Sequence, residues 1–80
     1  MVQLQVPSDE PGLTAYFEPE GGHRFLQPGD HLTITFDSDE PQEIDLALRA
    51  DGLVLWRPIR GEVKVTIIDR GTGEEITDLW

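Results

Sequence analysis

Two segments of the chain alternate between apolar and polar residues at almost every position. In residues 31–37 every second side chain is apolar, and residues 62–67 repeat the pattern. The apolar positions are Leu32, Ile34 and Phe36 in the first segment and Val63, Val65 and Ile67 in the second. A period of two places alternate side chains on opposite faces of an extended chain. Both segments are therefore predicted to be half-buried β-strands.

Six weaker strand patterns fill most of the remaining chain. They cover residues 2–6, 13–18, 23–27, 43–48, 53–56 and 75–79. Eight glycines and six prolines punctuate the 80 residues at the spacing of successive turns. Many short strands separated by turns are typical of a small sandwich or barrel. We predict one all-β domain over residues 1–80, a small antiparallel β-sandwich or partly open barrel of seven to eight short strands.

Asp51-Gly52 lies between two apolar runs and predicts a hairpin with a type I′ turn. In that register Ala50 is opposite Leu53, Leu48 is opposite Leu55, and Ala47 is opposite Trp56. By pleat alternation, one face carries Ile44, Leu46, Leu48, Leu53 and Leu55, and the other carries Asp45, Ala47, Arg49, Val54 and Trp56. The first set is expected to face the core.

Two further local patterns bear on the topology. Gln27-Pro28-Gly29-Asp30 predicts a type II turn, a geometry that suits a corner between sheets better than a hairpin. The segment 39–52 also fits a helix, because Pro41 lies in its first turn and Asp45 and Arg49 stand four residues apart. The alternation within 44–48 and the turn that follows favour a strand, and the helix is the alternative.

The charge is strongly acidic and unevenly distributed. Sixteen acids and six bases give a net charge of −10. Residues 1–48 hold ten acids and one base, a net charge of −9, whereas residues 49–80 have a net charge of −1. Binding to a phosphate backbone requires Lys and Arg to displace counterions, so a nucleic-acid partner is not expected. Solubility or a basic protein partner fits this charge better.

The absence of cysteine excludes disulfides, thiolate metal sites and a catalytic thiol. The first seven residues alternate and lack the basic and apolar regions of a signal peptide, so a cytoplasmic location is expected. No stretch approaches the 18 or more apolar residues of a membrane span, and no membrane partner is expected.

Two groups of side chains are candidates for metal binding. The acidic segment 37–45 begins like a calcium loop, but its sixth position is Gln42 and its twelfth is Leu48, where Gly and Glu belong. His23 and His31 flank the Pro28-Gly29 turn and supply two nitrogens where zinc requires three or four ligands. We predict no metal site and no cofactor, with these two groups as the alternative.

No catalytic set can be assembled from the sequence. Ser8 and Ser38 lie in acidic turns without a nucleophile elbow, and Gly71-Thr72-Gly73 is followed by two glutamates that would repel a phosphate. Paired carboxylates are present, yet so small a β domain has little room for the buried cleft that would separate their pKa values. The protein is therefore not expected to be an enzyme.

The strongest functional indication is the non-core face of the predicted hairpin. It carries Ala47, Arg49, Val54 and Trp56, and Lys64 is expected nearby on a neighbouring strand. Trp and Arg dominate binding hot spots, so these four residues are the candidate partner-binding site. The alternative is that Trp56 closes the end of the core, and Trp80 raises the same pair of possibilities.

These observations favour a non-enzymatic protein–protein interaction module, such as an accessory or inhibitory subunit. Its partner would be another protein, for example a basic one, or a second copy of the chain. The alternative is a ligand- or metal-ion-binding β domain that uses the acidic loop 37–45 or His23 and His31.

Overall fold

A computed structural model describes residues 1–57 and 62–80 and shows an all-β fold. Its eight strands are β1 (Val2–Gln5), β2 (Leu13–Glu18), β3 (Gly22–Leu26), β4 (His31–Asp37), β5 (Asp45–Arg49), β6 (Gly52–Trp56), β7 (Lys64–Asp69) and β8 (Glu75–Ile76). Every segment that was predicted to be extended overlaps one of these strands. The described residues form no helix, and therefore none that is long and apolar enough to cross a membrane.

The strands form two four-stranded sheets that pack face to face without closing into a barrel. Sheet A has the order β1-β4-β7-β8, and sheet B has the order β3-β2-β6-β5. All pairs are antiparallel except β2 and β6, which run parallel. The predicted small sandwich is confirmed, with this one parallel pair that no local pattern indicated.

The core lies between the sheets and is built by the alternating residues of both. The largest fully buried side chains are Phe17, Leu26, Leu32, Ile34 and Leu55. Val65 and Ile67 of β7 also face this core, as the alternation predicted. At the edge of the interior, the Arg24 guanidinium lies 3.6 Å from the Asp69 carboxylate and joins sheet B to sheet A.

The turn from Gln27 to Asp30 connects the two sheets and has the predicted type II geometry. Gly29 has φ of 90°, and the Asp30 N–H donates to the Gln27 carbonyl over 2.9 Å. The Asp30 carboxylate also accepts a 2.8 Å hydrogen bond from the Gln27 N–H. The chain therefore passes from β3 in sheet B to β4 in sheet A at this corner.

The β5–β6 hairpin exists, but its predicted turn and register were wrong. Arg49 pairs with Gly52 and Ala47 with Val54, so the turn consists of Ala50 and Asp51. No non-glycine residue in the described ranges has a positive φ, which excludes a type I′ turn here. Gly52 instead lies in the strand, and the position requires glycine because a side chain there would collide with the Thr14 carbonyl of the parallel neighbour β2.

The hairpin face expected in the core is only partly buried. Leu53 and Leu55 pack into the interior, but Leu46 is 53% exposed and Leu48 is 87% exposed. β5 is the edge strand of sheet B, and among the described elements it contacts only β6. Sheet A does not cover this edge, so the inward side of β5 remains open to solvent.

Candidate functional site

The outer face of sheet B places residues from four strands side by side in three cross-strand rows. The rows, read from β3 to β5, are Phe25–Thr14–Gly52–Arg49, His23–Tyr16–Val54–Ala47, and Glu18–Trp56–Asp45. This arrangement follows from pleat alternation, because residues in register on neighbouring strands project to the same side. We call these eleven residues the outer face of sheet B.

The four predicted site residues all lie on this face, but they differ in exposure. Trp56 is 46% exposed, and Ala47 and Arg49 are also exposed. Val54 is only 8% exposed because it occupies a central strand between Tyr16 and Ala47. Val54 is therefore the floor of the face, whereas Trp56 is a side chain that a partner can reach.

Arg49, Tyr16 and Asp51 form a polar cluster at one end of the face. The Arg49 Cζ lies 4.4 Å from the centroid of the Tyr16 ring, a cation–π arrangement. The Tyr16 hydroxyl donates a 2.5 Å hydrogen bond to Asp51 Oδ2, and Arg49 Nε lies 3.7 Å from Asp51 Oδ1. Three side chains from β2, β5 and the hairpin turn thus hold each other in place.

This hydrogen bond shifts the ionisation of both of its partners. Because the phenol donates to a carboxylate, the pKa of Tyr16 is raised above its usual value of 10.0. The same bond stabilises the Asp51 carboxylate and lowers the pKa of Asp51 below 3.8. At neutral pH the cluster therefore consists of a neutral phenol, a carboxylate and a guanidinium.

Trp56 lies at the other end of the face, between two acids. Its neighbours in register are Glu18 on β2 and Asp45 on β5. The next residue, Arg57, makes two 3.0 Å hydrogen bonds to the Glu20 carboxylate, and its N–H donates to the Glu18 carbonyl over 2.9 Å. These bonds fix the chain directly after Trp56, so the backbone that carries the indole is anchored.

The second tryptophan belongs to the interior. The Trp80 ring packs edge-on against Phe17, with centroids 5.0 Å apart, and lies 5.9 Å from the ring of Phe36. Its Nε1–H donates a 3.1 Å hydrogen bond to the Glu18 carbonyl. The structure therefore resolves the two alternatives in opposite ways: Trp80 closes the core, and Trp56 faces solvent.

Two residues of the face were missed by the sequence analysis. Tyr16 packs beside His23 with ring centroids 6.2 Å apart, and Phe25 is 57% exposed with its ring over Gly12. The alternation of β2 and β3 placed both residues on a non-core side. Only the pairing of β2 with β6 brings the non-core side of β2 next to Trp56, and no local sequence pattern predicted this pairing.

Lys64 was expected beside Trp56, and that prediction was wrong. Lys64 lies on β7 in sheet A, where it pairs in register with Asp37. Near it, an open depression of about 390 Å³ is lined by Asp37, Ser38, Asp39, Glu62, Val63 and Lys64. The cation therefore belongs to the acidic end of the other sheet.

The two histidines do not meet across the Pro28-Gly29 turn. His23 lies on the outer face of sheet B beside Tyr16, whereas His31 Nε2 is hydrogen bonded over 2.5 Å to Gln3 Oε1 on sheet A. In the acidic loop, Ser38 Oγ accepts hydrogen bonds from the Glu40 N–H and the Gln42 side chain. Within 1–57 and 62–80, no three His, Cys, Asp or Glu side chains are grouped to hold a metal ion.

The chain matches no protein-family model, no curated protein and no solved structure.

Proposed function

We propose that this protein is a non-enzymatic interaction module that binds a basic protein partner through the outer face of sheet B. The observation that carries the proposal is Trp56, which is 46% exposed, lies in register between Glu18 and Asp45, and is followed by a backbone anchored at Arg57. Exposed aromatic groups rimmed by charge are typical of protein-binding sites. The partner-binding residues are Trp56, Ala47 and Arg49, with Val54 beneath them and Tyr16 and Phe25 extending the surface.

The chemistry around Trp56 favours a cationic group on the partner. A Lys or Arg side chain can stack on the indole face, a contact worth about 0.5–1 kcal/mol at an exposed site. The same cation can pair with the carboxylate of Glu18 or Asp45 on either side of the ring. An indole between two acids therefore suits a basic side chain better than an apolar one.

The net charge of −10 supports the same class of partner. A negative field accelerates the approach of a basic protein and repels nucleic acid. We expect association to slow as salt rises, because salt screens the exposed charges. The partner would be regulated or assembled by this binding, as expected for an accessory or inhibitory subunit.

Affinity capture from the source cell with matched variants tests the proposal. The immobilised wild-type chain, Trp56→Ala and Thr35→Ala are each incubated with lysate, and retained proteins are identified by mass spectrometry. Thr35 is the control because it is exposed on the outer face of sheet A. We expect a basic protein that is retained by the wild type and Thr35→Ala but lost from Trp56→Ala.

The purified partner then gives a quantitative test by titration calorimetry. Trp56→Ala should weaken its binding by about 2 kcal/mol, which is the threshold of a hot spot. Equal affinity for the wild type and Trp56→Ala would overturn the assignment of the site. An acidic partner would overturn the assignment of its chemistry.

A cytoplasmic location belongs to the same proposal. Fractionation of the source cell tests it, with the protein expected in the cytoplasmic fraction.

A further inference from the structure

β5 is an open edge strand with apolar side chains exposed on its inward side. All five residues from Asp45 to Arg49 are exposed, and among the described elements β5 contacts only β6. Leu48 is 87% exposed and Leu46 is 53% exposed. An exposed edge has unpaired backbone N–H and C=O groups that can accept another strand. This edge shares Asp45, Ala47 and Arg49 with the outer face of sheet B, but it offers backbone groups and the inward leucines rather than the Trp56 side chain.

The other sheet edges are less open than β5. On β3, Arg24 lies opposite Ala15 and reaches Asp69 in sheet A, which places a charge at the inward side of that edge. β8 has only two residues, and on β1 the inward Leu4 is buried, with 9% of its surface exposed. An inward charge and a short strand are devices that discourage edge-to-edge pairing. β5 has five residues and carries leucines at its inward positions, so it has neither an inward charge nor a short strand to prevent pairing.

The sequence of β5 is complementary to itself when two copies run antiparallel. With Ala47 opposite Ala47 of a second copy, Asp45 lies opposite Arg49, and Leu46 lies opposite Leu48. Opposite charges and apolar pairs across antiparallel strands each contribute about 0.2–1 kcal/mol. We infer that two copies of this chain pair through β5, forming a symmetric dimer with one continuous eight-stranded sheet.

Centring the pair on Ala47 uses the whole strand. Any other two-fold register leaves at least two of the five β5 residues beyond the end of the opposing strand. Centring it on Leu48, for example, would place Asp45 opposite Asp51, two like charges. A two-fold axis through Ala47 gives each interaction twice, as a symmetric dimer requires.

The pairing requires a small rearrangement at Arg49. Its contact with Asp51 is 3.7 Å long and its side chain is 53% exposed, so this ion pair contributes little to stability. The guanidinium exchanges that contact for Asp45 of the second copy. The aromatic outer faces of both copies then lie on the same side of the joined sheet, with both Trp56 side chains accessible.

The dimer is expected to be weak and dependent on concentration. A five-residue strand pair lies at the small end of interface sizes, so we expect a Kd on the order of tens of micromolar. Two chains of net charge −10 repel each other, and salt screens this repulsion. Dimerisation should therefore strengthen with salt, whereas binding of a basic partner should weaken with it.

Analytical ultracentrifugation of the full chain between about 5 and 500 µM, a range that brackets the expected Kd, tests the inference. We expect a monomer–dimer equilibrium for the wild type and for Gln5→Lys, which adds the same charge on β1. Leu48→Lys places a charge at the inward side of the edge and should weaken the dimer about tenfold or more. Leu48 is 87% exposed, so this variant should stay folded, which circular dichroism verifies.

Charge exchange provides a test of the register. Asp45→Arg and Arg49→Asp each place like charges opposite one another and should weaken the homodimer. Mixed in equal amounts, the two variants form opposite-charge pairs at both positions, so a mixed dimer should appear that is stronger than either homodimer. Both variants remain net negative, so general attraction does not explain such a result.

The inference is overturned if the wild type remains a monomer up to the highest concentration. It is also overturned if Leu48→Lys dimerises as the wild type does, or if the two charge variants do not associate when mixed. Failure of this test leaves the Trp56 proposal standing, because that proposal is tested by Trp56→Ala and partner binding.

Discussion

The outer faces of the two sheets differ in polarity, although both sheets pack against the same core. Sheet A presents mostly polar side chains outward, namely Gln3, Gln5, Thr33, Thr35 and Thr66, with Ile68 as a partly buried apolar exception. The outer face of sheet B presents Tyr16, Phe25, Val54 and Trp56 among its polar and charged residues. Both sheets obey the same pleat alternation, and the outward residues of neither are needed to fill the core. The core therefore does not require the aromatic content of sheet B, and this content is the feature on which the proposed binding function rests.

Each outer face also has one buried residue at its centre. This residue is polar on sheet A and apolar on sheet B. Thr33 is 6% exposed on sheet A, and Val54 is 8% exposed on sheet B. The Thr33 hydroxyl is buried without a hydrogen-bond partner among the described residues. Sheet A thus has a buried hydroxyl without a hydrogen bond where sheet B has an apolar side chain. The polar residue at this position of sheet A therefore does not improve its packing.

The largest predicted effect separates the tryptophan on the outer face from the one in the core. Trp80→Ala should lower the free energy of unfolding by about 3 kcal/mol, because it removes packing on Phe17 and a hydrogen bond to Glu18. Trp56→Ala should cost about 1 kcal/mol or less, since nearly half of this side chain is already in water. Urea unfolding of both variants measures the two values. Equal losses would place Trp56 in the stability of the fold and contradict the contrast between the faces.

A reciprocal exchange at the two buried centres should give smaller effects of opposite sign. Thr33→Val removes an unsatisfied buried hydroxyl and should stabilise the fold by about 1 kcal/mol. Val54→Thr buries a hydroxyl between Tyr16 and Ala47 and should destabilise it by about 1–2 kcal/mol. Thermal and chemical unfolding report both changes. A destabilising Thr33→Val would show that the Thr33 hydroxyl makes a hydrogen bond in solution, and it would contradict this contrast between the sheets.

The smallest predicted effect concerns the polar cluster on sheet B. Tyr16 is the one tyrosine of the chain, so absorbance near 295 nm follows its ionisation alone. Its pKa should lie above 10.0 in the wild type, because its hydroxyl donates to the Asp51 carboxylate. In Asp51→Asn the pKa should fall back towards 10.0. An unchanged titration in that variant would show that Asp51 does not hold the phenol in solution.

The same hydrogen bond gives a modest pH dependence of stability at both extremes. The raised pKa of Tyr16 means that its contribution is complete below pH 10.0 and is lost as pH rises through the pKa of the folded protein. The lowered pKa of Asp51 means that its contribution is present above pH 3.8 and is lost as pH falls through its folded value. Melting temperatures of the wild type and Tyr16→Phe should therefore differ most near neutral pH.

The sequence by itself determined the strands and the side of each strand that faces inward. Alternation is a local property: Leu32, Ile34 and Phe36 share a face wherever β4 lies in the fold. The Pro28-Gly29 turn was predictable for the same reason, since the φ of proline and the positive φ of glycine are set within the turn itself. The same alternation placed Trp56 on the non-core side of the hairpin, but it left open whether Trp56 closes the end of the core.

The tertiary structure decided which strands are neighbours. This pairing determined the composition of the outer face of sheet B and the exposure of β5. The parallel pairing of β2 with β6 brought Tyr16 beside Val54, and it placed Gly52 against Thr14, where a side chain has no room. The position of β5 at the sheet edge exposed Leu46 and Leu48, although their alternation is that of core residues. Burial depends on what covers a face, and that cover comes from residues distant in the chain. A pattern with a period of two can therefore predict which side of a strand is apolar, but it cannot predict which other strand lies next to it.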